Sequence, residues 1–536
     1  MEILEIKTES KGSIGRKRRS GRGRDYIDSG GTDFTCCYIQ VTAYKSGRDH
    51  FREDHKREQR YLKGEVTVYL SLVFILLMSF AGAMLESASS QNVKNYRRAD
   101  MNRAVESLFA EYQKELWEVY GIFALEGSYE TGTYNEELLM DRLAYYGAGG
   151  IDQEITKIQL LTDRGASAFY DQVTAYMENK YGLDKVKKFV GQTDTWKAGQ
   201  EAGELYERDG TKKEQELQGA LSEREVDLPE EENPLSHVAK LKSTPILELI
   251  MPKGQTISSK SISLAEMVSH RKCNQGYGDF SDVSGSDGTV NKLLFGEYVL
   301  EHFLKASDYQ TDGGKPGTGS GRMKGKQTEN QGALDYELEY ILEGKASDRE
   351  NLEAVAGRLL MVRFVPDYAY IRTDMQKKAE AEAMALALCT VIALPEIAET
   401  VTQGILLAWA YGEAVMDLRT LIGGGKVPLV KKEEDWKLSL SGLMQLGTVE
   451  DAGNGGGNTE KENGLAYGEY LRMLLFLKPQ NELGMRTLDM IEQNLKIRYG
   501  QDFFQADACV SRIELHSTCR IRHGITYDFP TYFGYN

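Results

Sequence analysis

The sequence predicts a mainly helical α+β protein with one transmembrane helix near its N-terminus and a small β-sheet at its C-terminus. Three observations lead to this fold class: an uncharged apolar run from Val66 to Leu85, a helical apolar pattern that follows it, and a regular alternation of side chains near the end of the chain. With 536 residues, of which 41% are hydrophobic, the chain is long enough to form two to four domains with substantial cores.

The apolar run predicts a membrane-spanning helix. Its twenty residues would form about 30 Å of helix, which matches the hydrocarbon thickness of a bilayer. Seven Lys or Arg residues lie in the twenty residues before Glu65 and four lie between Glu86 and Val105, a bias that predicts a cytoplasmic N-terminus. A cleaved signal peptide is the alternative, since Ala81-Gly82-Ala83 has the small residues of a cleavage site.

The helix is predicted to continue beyond the membrane as a stalk. No Gly or Pro lies between Ala83 and Tyr120, and apolar residues recur there at three- or four-residue steps, as on one helical face. Gly121 is the predicted end. Further along, the apolar stretches 383–394 and 401–411 are too short to span a bilayer and predict a buried helical hairpin.

The C-terminal residues alternate with a period of two. From Cys509 to Phe529 the odd positions are mostly apolar or small and the even positions mostly polar, which predicts β structure with one buried face. Cys509 and Cys519 share that face. A hairpin turning near residues 514–516 would bring them together as a disulfide, whereas a straight strand would leave two buried thiols and place the turn near His523-Gly524.

Charge is divided unequally along the chain. Residues 1–64 carry a net charge of +5 and the remainder carries −21. So acidic a body repels phosphates, and we therefore expect no nucleic-acid partner. The basic segment lacks periodicity and is interpreted either as a disordered cytoplasmic tail or as an artefact of an over-long reading frame.

No motif in the sequence carries recognisable chemistry. The glycine-rich runs 313–326 and 423–426 lack the spacing of a P-loop, and the seven histidines contain no HExxH pair. We therefore predict no catalytic residue, no cofactor and no metal site. With 81 carboxylates, however, a pair of catalytic acids would not stand out.

Several segments resemble one family. KGEVTVYLSLVFILLMSFAGAMLESA and RAVESLFAEYQKELWEVYGIFAL resemble the N-terminus of uncharacterised clostridial membrane proteins, which are similar to the TadE/TadG-like proteins of tight-adherence (Flp-type) pilus systems. ALDYELEYILEGKASDRENL, AWAYGEAVMDLRTL and GEYLRMLLFLKPQNELGMRTLDMIEQNL extend the resemblance through most of the chain after Gly64.

The resemblance implies a membrane-anchored, extracytoplasmic, non-enzymatic component of a pilus-like assembly, with the membrane and other pilus or envelope proteins as partners. In pilin-like members a leader peptidase cuts after a glycine, and a Glu lies at the fifth mature position. Gly64 is the candidate for the cut, but the fifth residue after it is Tyr69. This difference favours a TadG-like accessory protein with a retained anchor over a major pilin. An anchored envelope hydrolase with an unrecognised carboxylate site is the alternative function.

These interpretations divide the chain into five segments. They are a basic cytoplasmic tail (1–64), a transmembrane helix (65–86), a helical stalk with the first part of the head (87–194), an acidic linker (195–235), for which an exposed helix is the alternative, and an extracytoplasmic α+β head (236–536).

Overall fold

The apolar run forms part of a 48-residue helix, α1, from Leu62 to Phe109. The computed structural model describes residues 62–223, 233–251, 257–280, 288–308, 311–312, 315–316, 332–447, 464–521 and 524–535. The predicted tail up to residue 61 lies outside the described residues, as does most of the two loops at 310–332 and 451–464.

Helices make up most of the described residues, and the rest of the regular structure consists of eight strands and a few short 3₁₀ or π-helical turns. The helices are α1 (Leu62–Phe109), α2 (Lys114–Tyr120), α3 (Glu136–Leu143), α4 (Asp163–Tyr181), α5 (Asp184–Val190), α6 (Thr193–Ser222), α7 (Pro234–Ser243), α8 (Ile246–Ile250), α9 (Thr289–His302), α10 (Glu337–Glu343), α11 (Asp348–Thr373), α12 (Met375–Val391), α13 (Ala398–Ile422), α14 (Leu440–Leu443), α15 (Tyr467–Leu477) and α16 (Gln480–Tyr499). The strands are β1 (Leu125–Glu126), β2 (Asp152–Leu160), β3 (Thr311–Asp312), β4 (Lys315–Pro316), β5 (Lys426–Val427), β6 (Leu465–Ala466), β7 (Cys509–Arg520) and β8 (Thr526–Gly534). The predicted fold class, a mainly helical α+β protein with one apolar N-terminal helix, is confirmed.

The chain divides into two compact units, residues 1–81 and 82–536. In the described part of the first unit, the large apolar side chains of α1 are almost all exposed; Leu70, Phe74 and Leu77 are 58%, 63% and 57% exposed. Among the described residues, α1 alone is long and apolar enough to cross a membrane. Helix α1 is therefore a candidate membrane-spanning helix near the N-terminus.

The prediction of an unbroken helical stalk up to Gly121 is wrong in one respect. The helix ends at Phe109, and a separate helix, α2, begins at Lys114. Neither Gly nor Pro causes this break. The Phe109 carbonyl accepts a hydrogen bond from the Tyr535 hydroxyl, and the amide of Gln113 donates to the Ala124 carbonyl at 2.9 Å. Tertiary contacts therefore end the helix, while α2 terminates as predicted at Gly121, which is left-handed with φ of 69°.

The C-terminal β prediction is confirmed. Strand β7 pairs antiparallel with β2 on one side, and with β1 and β8 on the other. From Ile513 onward its odd side chains are buried and its even side chains are partly or fully exposed. The β7–β8 connection lies near Gly524, which has φ of 76°, and the amide of Ile521 donates to the Ile525 carbonyl across it at 2.7 Å.

Of the two alternatives for Cys509 and Cys519, the disulfide across a hairpin is not observed. Both cysteines are free, and the residues from one to the other form a single strand without a hairpin. Ten residues of strand separate their Cα atoms by about 33 Å, far beyond the reach of a disulfide. The alternative, two buried thiols on one strand, is the observed structure.

Two apolar cores fill the second unit. The sheet core lies between the C-terminal half of α1, α3 and the inner face of the sheet, and it includes Val105, Leu515 and Phe529. The helical core is larger and is built mainly by the helices that follow α3. Helices α12 and α13 pack together as the predicted helical hairpin, and α13 also packs against α11. The prediction that both arms are buried is wrong for α12, where Leu386 and Val391 are 53% and 73% exposed.

The segment predicted as an acidic linker, residues 195–235, is helical up to Ser222. This helix, α6, packs against α11, α13 and α15, and its own Trp196 is buried in the helical core. Its remaining surface is mostly exposed, which explains why its composition resembles that of a linker. Gly64 lies in the first turn of α1, and cleavage after it stays a prediction.

Candidate functional site

A polar cavity of about 740 Å³ lies between the start of α4 and the loop 268–280. Ligand sites commonly have volumes of about 300–1,000 Å³. Residues at the end of β2, the first turn of α4 and Met485 of α16 complete its wall. We call it the loop pocket, and it is the candidate functional site of the described residues.

The loop is attached to the edge of β2 through one residue flanked by glycines. The backbone of Tyr277 exchanges two hydrogen bonds with that of Ile158, each 3.0 Å long. A Cβ on Gly276 would lie 2.2 Å from the Ile158 carbonyl oxygen, and one on Gly278 would lie 2.4 Å from the side chain of Lys157. The close approach of the two backbones therefore requires glycine at position 276, and the positive φ of 79° favours glycine at position 278.

The first turn of α4 is left-handed. Arg164, Gly165 and Ala166 have φ values of 53°, 68° and 66°, a conformation that costs a non-glycine residue about 1–3 kcal/mol. The turn lies against α16, since a Cβ on Gly165 would be 2.7 Å from the Cβ of Asn481. Packing on α16 thus accounts for the strained turn. At the rim of the pocket the guanidinium of Arg164 pairs with the exposed carboxylate of Asp279.

Buried carboxylates fix the loop from below. Arg271 donates two hydrogen bonds to Glu492, at 2.6 and 2.8 Å, and also pairs with Asp507. Asp507 in turn accepts the backbone amide and the side-chain amide of Asn274, each at 3.0 Å. On the opposite side, Asp163 accepts the amide of Gly276 at 3.0 Å. The charged side chains around the floor therefore partner one another and the loop backbone.

Three residues at the pocket, Ser269, His270 and Asp489, are of the same types as the catalytic triad of a serine hydrolase. The Ser269 Oγ lies 2.5 Å from Asp489 Oδ2 and 2.9 Å from His270 Nδ1. Burial raises the pKa of Asp489, although hydrogen bonds from Ser269 and Tyr340 oppose this effect. In serine hydrolases the histidine lies between serine and acid, so that it removes the serine proton and the acid orients it. Here the serine lies between the other two, and Asp489 orients no imidazole.

The described residues contain no evident metal site. Within the described ranges, no group of three or more His, Cys, Asp or Glu residues is placed to hold a metal ion. The half-buried thiol of Cys273 lines the pocket, and burial and then Asp507 raise its pKa to about 11. A thiol of this kind is a poor nucleophile at neutral pH, because the thiolate is the reactive form.

The site residues named from the sequence lie elsewhere. Neither Gly64 nor Cys509 nor Cys519 lines the loop pocket. Sequence reasoning missed Ser269 and Asp489 because 220 positions separate them and neither belongs to a motif. The one sequence pattern that could have indicated this site is Gly276-Tyr277-Gly278, in which two glycines flank an aromatic residue. Glycine within a strand pattern is typical of a close approach of another backbone.

These features define the class: a mainly helical α+β protein with one candidate membrane-spanning helix among its described residues and a polar pocket in which Arg164 and Arg271 are paired with carboxylates. A family model described as a family of unknown function (DUF5702) matches residues 224–521, more than half of the chain, and the chain belongs to this family. No curated protein and no solved structure matches the chain significantly.

Proposed function

We propose that the protein is a membrane-anchored, non-enzymatic component of a pilus-like tight-adherence apparatus, with its N-terminus in the cytoplasm and most of its mass outside. The observation that carries the proposal is the uncovered apolar surface of α1. Leaving an apolar side chain in water rather than burying it costs about 1.5–3 kcal/mol. The exposed side chains from Val66 to Leu85 therefore favour insertion into a lipid bilayer.

The pairing of charges around the loop pocket supports a non-enzymatic role. Catalytic acids and bases need a free lone pair or proton directed at the substrate. Around this pocket Arg271 is held by Glu492 and Asp507, and the Ser269 hydroxyl is held by Asp489. Such an arrangement stabilises a fixed surface. The resemblance to TadE/TadG-like proteins supports the assignment of that surface to a pilus-like assembly.

The anchor is tested by carbonate extraction of membranes that contain the full chain. We expect the protein to stay in the pellet. Protease added to intact protoplasts should digest residues after Glu86. Full-length protein in the soluble fraction would exclude the anchor, and a protected head would reverse the orientation.

The assembly is tested by cross-linking in intact cells of the native host. We expect mass spectrometry to identify the pilin or the membrane platform of a tight-adherence system among the cross-linked proteins. The control is a chain in which only residues 66–85 are replaced by an unrelated transmembrane sequence, because the C-terminal half of α1 belongs to the sheet core. Equal cross-linking of both chains would mean that residues 66–85 only anchor the protein, and the absence of pilus components from both would refute the assignment.

The alternative, an anchored envelope hydrolase, is favoured by the contact of Ser269 with His270 and Asp489. A fluorophosphonate probe labels an activated serine covalently. We expect no labelling of the wild-type protein. Labelling that disappears in Ser269→Ala but persists in Ser263→Ala, an exposed serine outside the pocket, would establish the hydrolase instead.

A further inference from the structure

Five charged side chains are buried together in the helical core. Each is at most 1% exposed. The members of this buried charge cluster are Arg363 and Asp367 of α11, Glu413 and Asp417 of α13, and Lys431, which follows β5.

The cluster is a closed ring of ion pairs with one additional acid. Arg363 Nε lies 2.9 Å from Asp417 Oδ2, and its Nη2 lies 3.1 Å from Asp367 Oδ1. Lys431 Nζ lies 2.8 Å from Asp417 Oδ2 and 3.6 Å from Asp367 Oδ2. Glu413 is the additional acid and also pairs with Lys431. Each aspartate therefore contacts both cations.

The same side chains hold down residues 427–438, which we call the strap. Nη1 of Arg363 donates to the carbonyls of Pro428 and Leu429 at 3.0 and 2.9 Å. Glu413 accepts the amides of Lys437 and Leu438 at 3.1 and 2.7 Å. The strap has little regular structure apart from a short 3₁₀ turn, so it depends on these contacts for its backbone hydrogen bonds.

The charges of the cluster do not balance. Three carboxylates face two cations, which leaves one excess negative charge in a region without access to water. An uncompensated buried charge is costly, and proteins usually neutralise it by binding a proton. Asp367 Oδ2 accepts no hydrogen bond from the described residues, so it offers a position for that proton.

We propose that one proton bound by Asp367 keeps the strap closed, and that acidification tightens the strap. The proton removes the excess charge while both cations keep their partners. This behaviour is opposite to that of an ordinary ion pair, which weakens when acid protonates its carboxylate.

The surroundings of Asp367 support the proposal and fix the pH range. Burial raises the pKa of Asp367 to about 7, because the effects of Asp417 and Glu413 add to it and those of Arg363 and Lys431 only partly oppose it. From α15, Tyr470 faces the same cluster and is hydrogen-bonded to Arg363 at 3.1 Å. An aspartate exposed by opening of the strap has a pKa of about 3.9.

The direction of the pH dependence follows from the pKa of Asp367 in the closed state and in the open state. Between about pH 4 and 7 the closed state holds a proton that the open state has lost. The stabilising effect is complete below about pH 4, is lost as the pH rises to about 7, and changes little above that value. Opening of the strap should therefore become up to about tenfold less frequent for each pH unit of acidification within this range.

Hydrogen–deuterium exchange of the full chain in detergent tests this prediction. Exchange of peptides covering 427–438 is measured at pH 5, 6 and 7 and corrected for the intrinsic effect of pH. In the wild type we expect protection to rise about fivefold from pH 7 to pH 6, because Asp367 is half protonated at pH 7, and nearly tenfold from pH 6 to pH 5. Asp367→Asn cannot titrate but keeps a side-chain acceptor for Arg363, so its protection should not depend on pH.

Three controls make the result specific. Asp171→Asn removes another carboxyl whose pKa burial raises to about 6, but outside the strap, so it should behave as the wild type. Peptides of β7 report whether each variant folds. If Asp367→Asn does not fold, Glu413→Gln replaces it and should likewise abolish the pH dependence, because it removes the excess charge. Wild-type protection that stays constant or falls on acidification, or the wild-type slope in a folded Asp367→Asn, would overturn the proposal.

Discussion

The sheet core and the helical core treat charge differently. In the sheet core, the inward positions of β7 from Ile513 onward carry apolar or small side chains, and charged residues such as Glu514 and Arg520 project from the other face. In the helical core, many charged side chains are completely buried. Those of the described residues include Glu337, Glu339, Asp348, Arg363, Asp367, Glu413, Asp417, Asp489 and Glu492.

The two cores differ in buried charge because their backbone amides find hydrogen-bond partners in different ways. Strands satisfy their backbone groups in the ladder, so the sheet needs no buried acceptors. The helical core covers irregular segments whose amides lack a ladder partner. Its carboxylates accept those amides: Asp348 those of Asp335 and Tyr336, Glu337 that of Leu304, and Glu492 that of Ala506, all within 2.9–3.1 Å. Buried acids thus replace regular structure as the means of fixing these segments.

The largest expected effect comes from removing a cation of the helical core. Arg363→Met leaves three buried carboxylates facing one lysine and frees two strap carbonyls. Breaking a buried ion pair in this way typically costs about 3–5 kcal/mol. Urea unfolding of the protein in detergent, followed by circular dichroism, measures the loss.

The matched control is Arg103→Met. Arg103 pairs with Asp100 on the surface of α1, and its side chain is 66% exposed. We expect the free energy of unfolding to change by less than about 0.5 kcal/mol. Similar costs for the two substitutions would contradict the idea that the buried cluster organises the helical core.

Truncation of an apolar residue gives the corresponding test in the sheet core. Leu515→Ala removes a fully buried side chain of β7 and should cost about 3 kcal/mol in unfolding free energy. His516→Ala, on the next residue and the exposed face, should change it by less than about 0.5 kcal/mol. The same urea titration compares them, and equal losses would mean that the alternation does not define the buried face.

The two cores also differ in how far the sequence predicts them. The alternation from Cys509 to Phe529 predicts the strand, its buried face and the alternative turn near Gly524, because side chains along a strand must point to opposite sides. The helices α1, α12 and α13 can also be predicted from the sequence, because the length of an apolar run and its lack of charge are local properties of the chain.

The features that sequence reasoning missed all depend on distant residues. Arg363 and Asp417 are 54 positions apart, and an isolated arginine in a helical pattern is usually a surface residue. The end of α1 depends on Tyr535 at the other end of the chain. The loop pocket likewise joins α4, the loop 268–280 and α16, whose proximity no local pattern records.

A smaller loss of unfolding free energy is expected for a substitution where the loop 268–280 contacts β2. Gly276→Ala places a Cβ 2.2 Å from the Ile158 carbonyl, and the backbone must move apart to accept it. Overpacking of this kind typically costs about 1–3 kcal/mol. Gly199→Ala is the control, because the space around this helical glycine in α6 is open, and it should stabilise the protein by about 0.5–1 kcal/mol. Thermal unfolding should show a lower melting temperature for Gly276→Ala and a higher one for Gly199→Ala.

The smallest effect, no change at all, is expected for reduction of the protein. Cys509 and Cys519 lie at the two ends of β7, and the first belongs to the helical core while the second belongs to the sheet core. Burial raises the pKa of both thiols, which keeps them protonated and unreactive. Dithiothreitol should therefore leave the melting temperature unchanged.

Peptide-resolved iodoacetamide labelling tests the same pair. In the folded protein we expect neither the Cys509 peptide nor the Cys519 peptide to be alkylated, and after denaturation without reductant we expect both to react completely. Because the two thiols are protected by different cores, Leu515→Ala should accelerate labelling of Cys519, which packs in the same sheet core, more than that of Cys509. Equal acceleration would show that the two cores open as one cooperative unit, and a cross-linked peptide 2 Da lighter than the reduced pair would refute the extended strand itself.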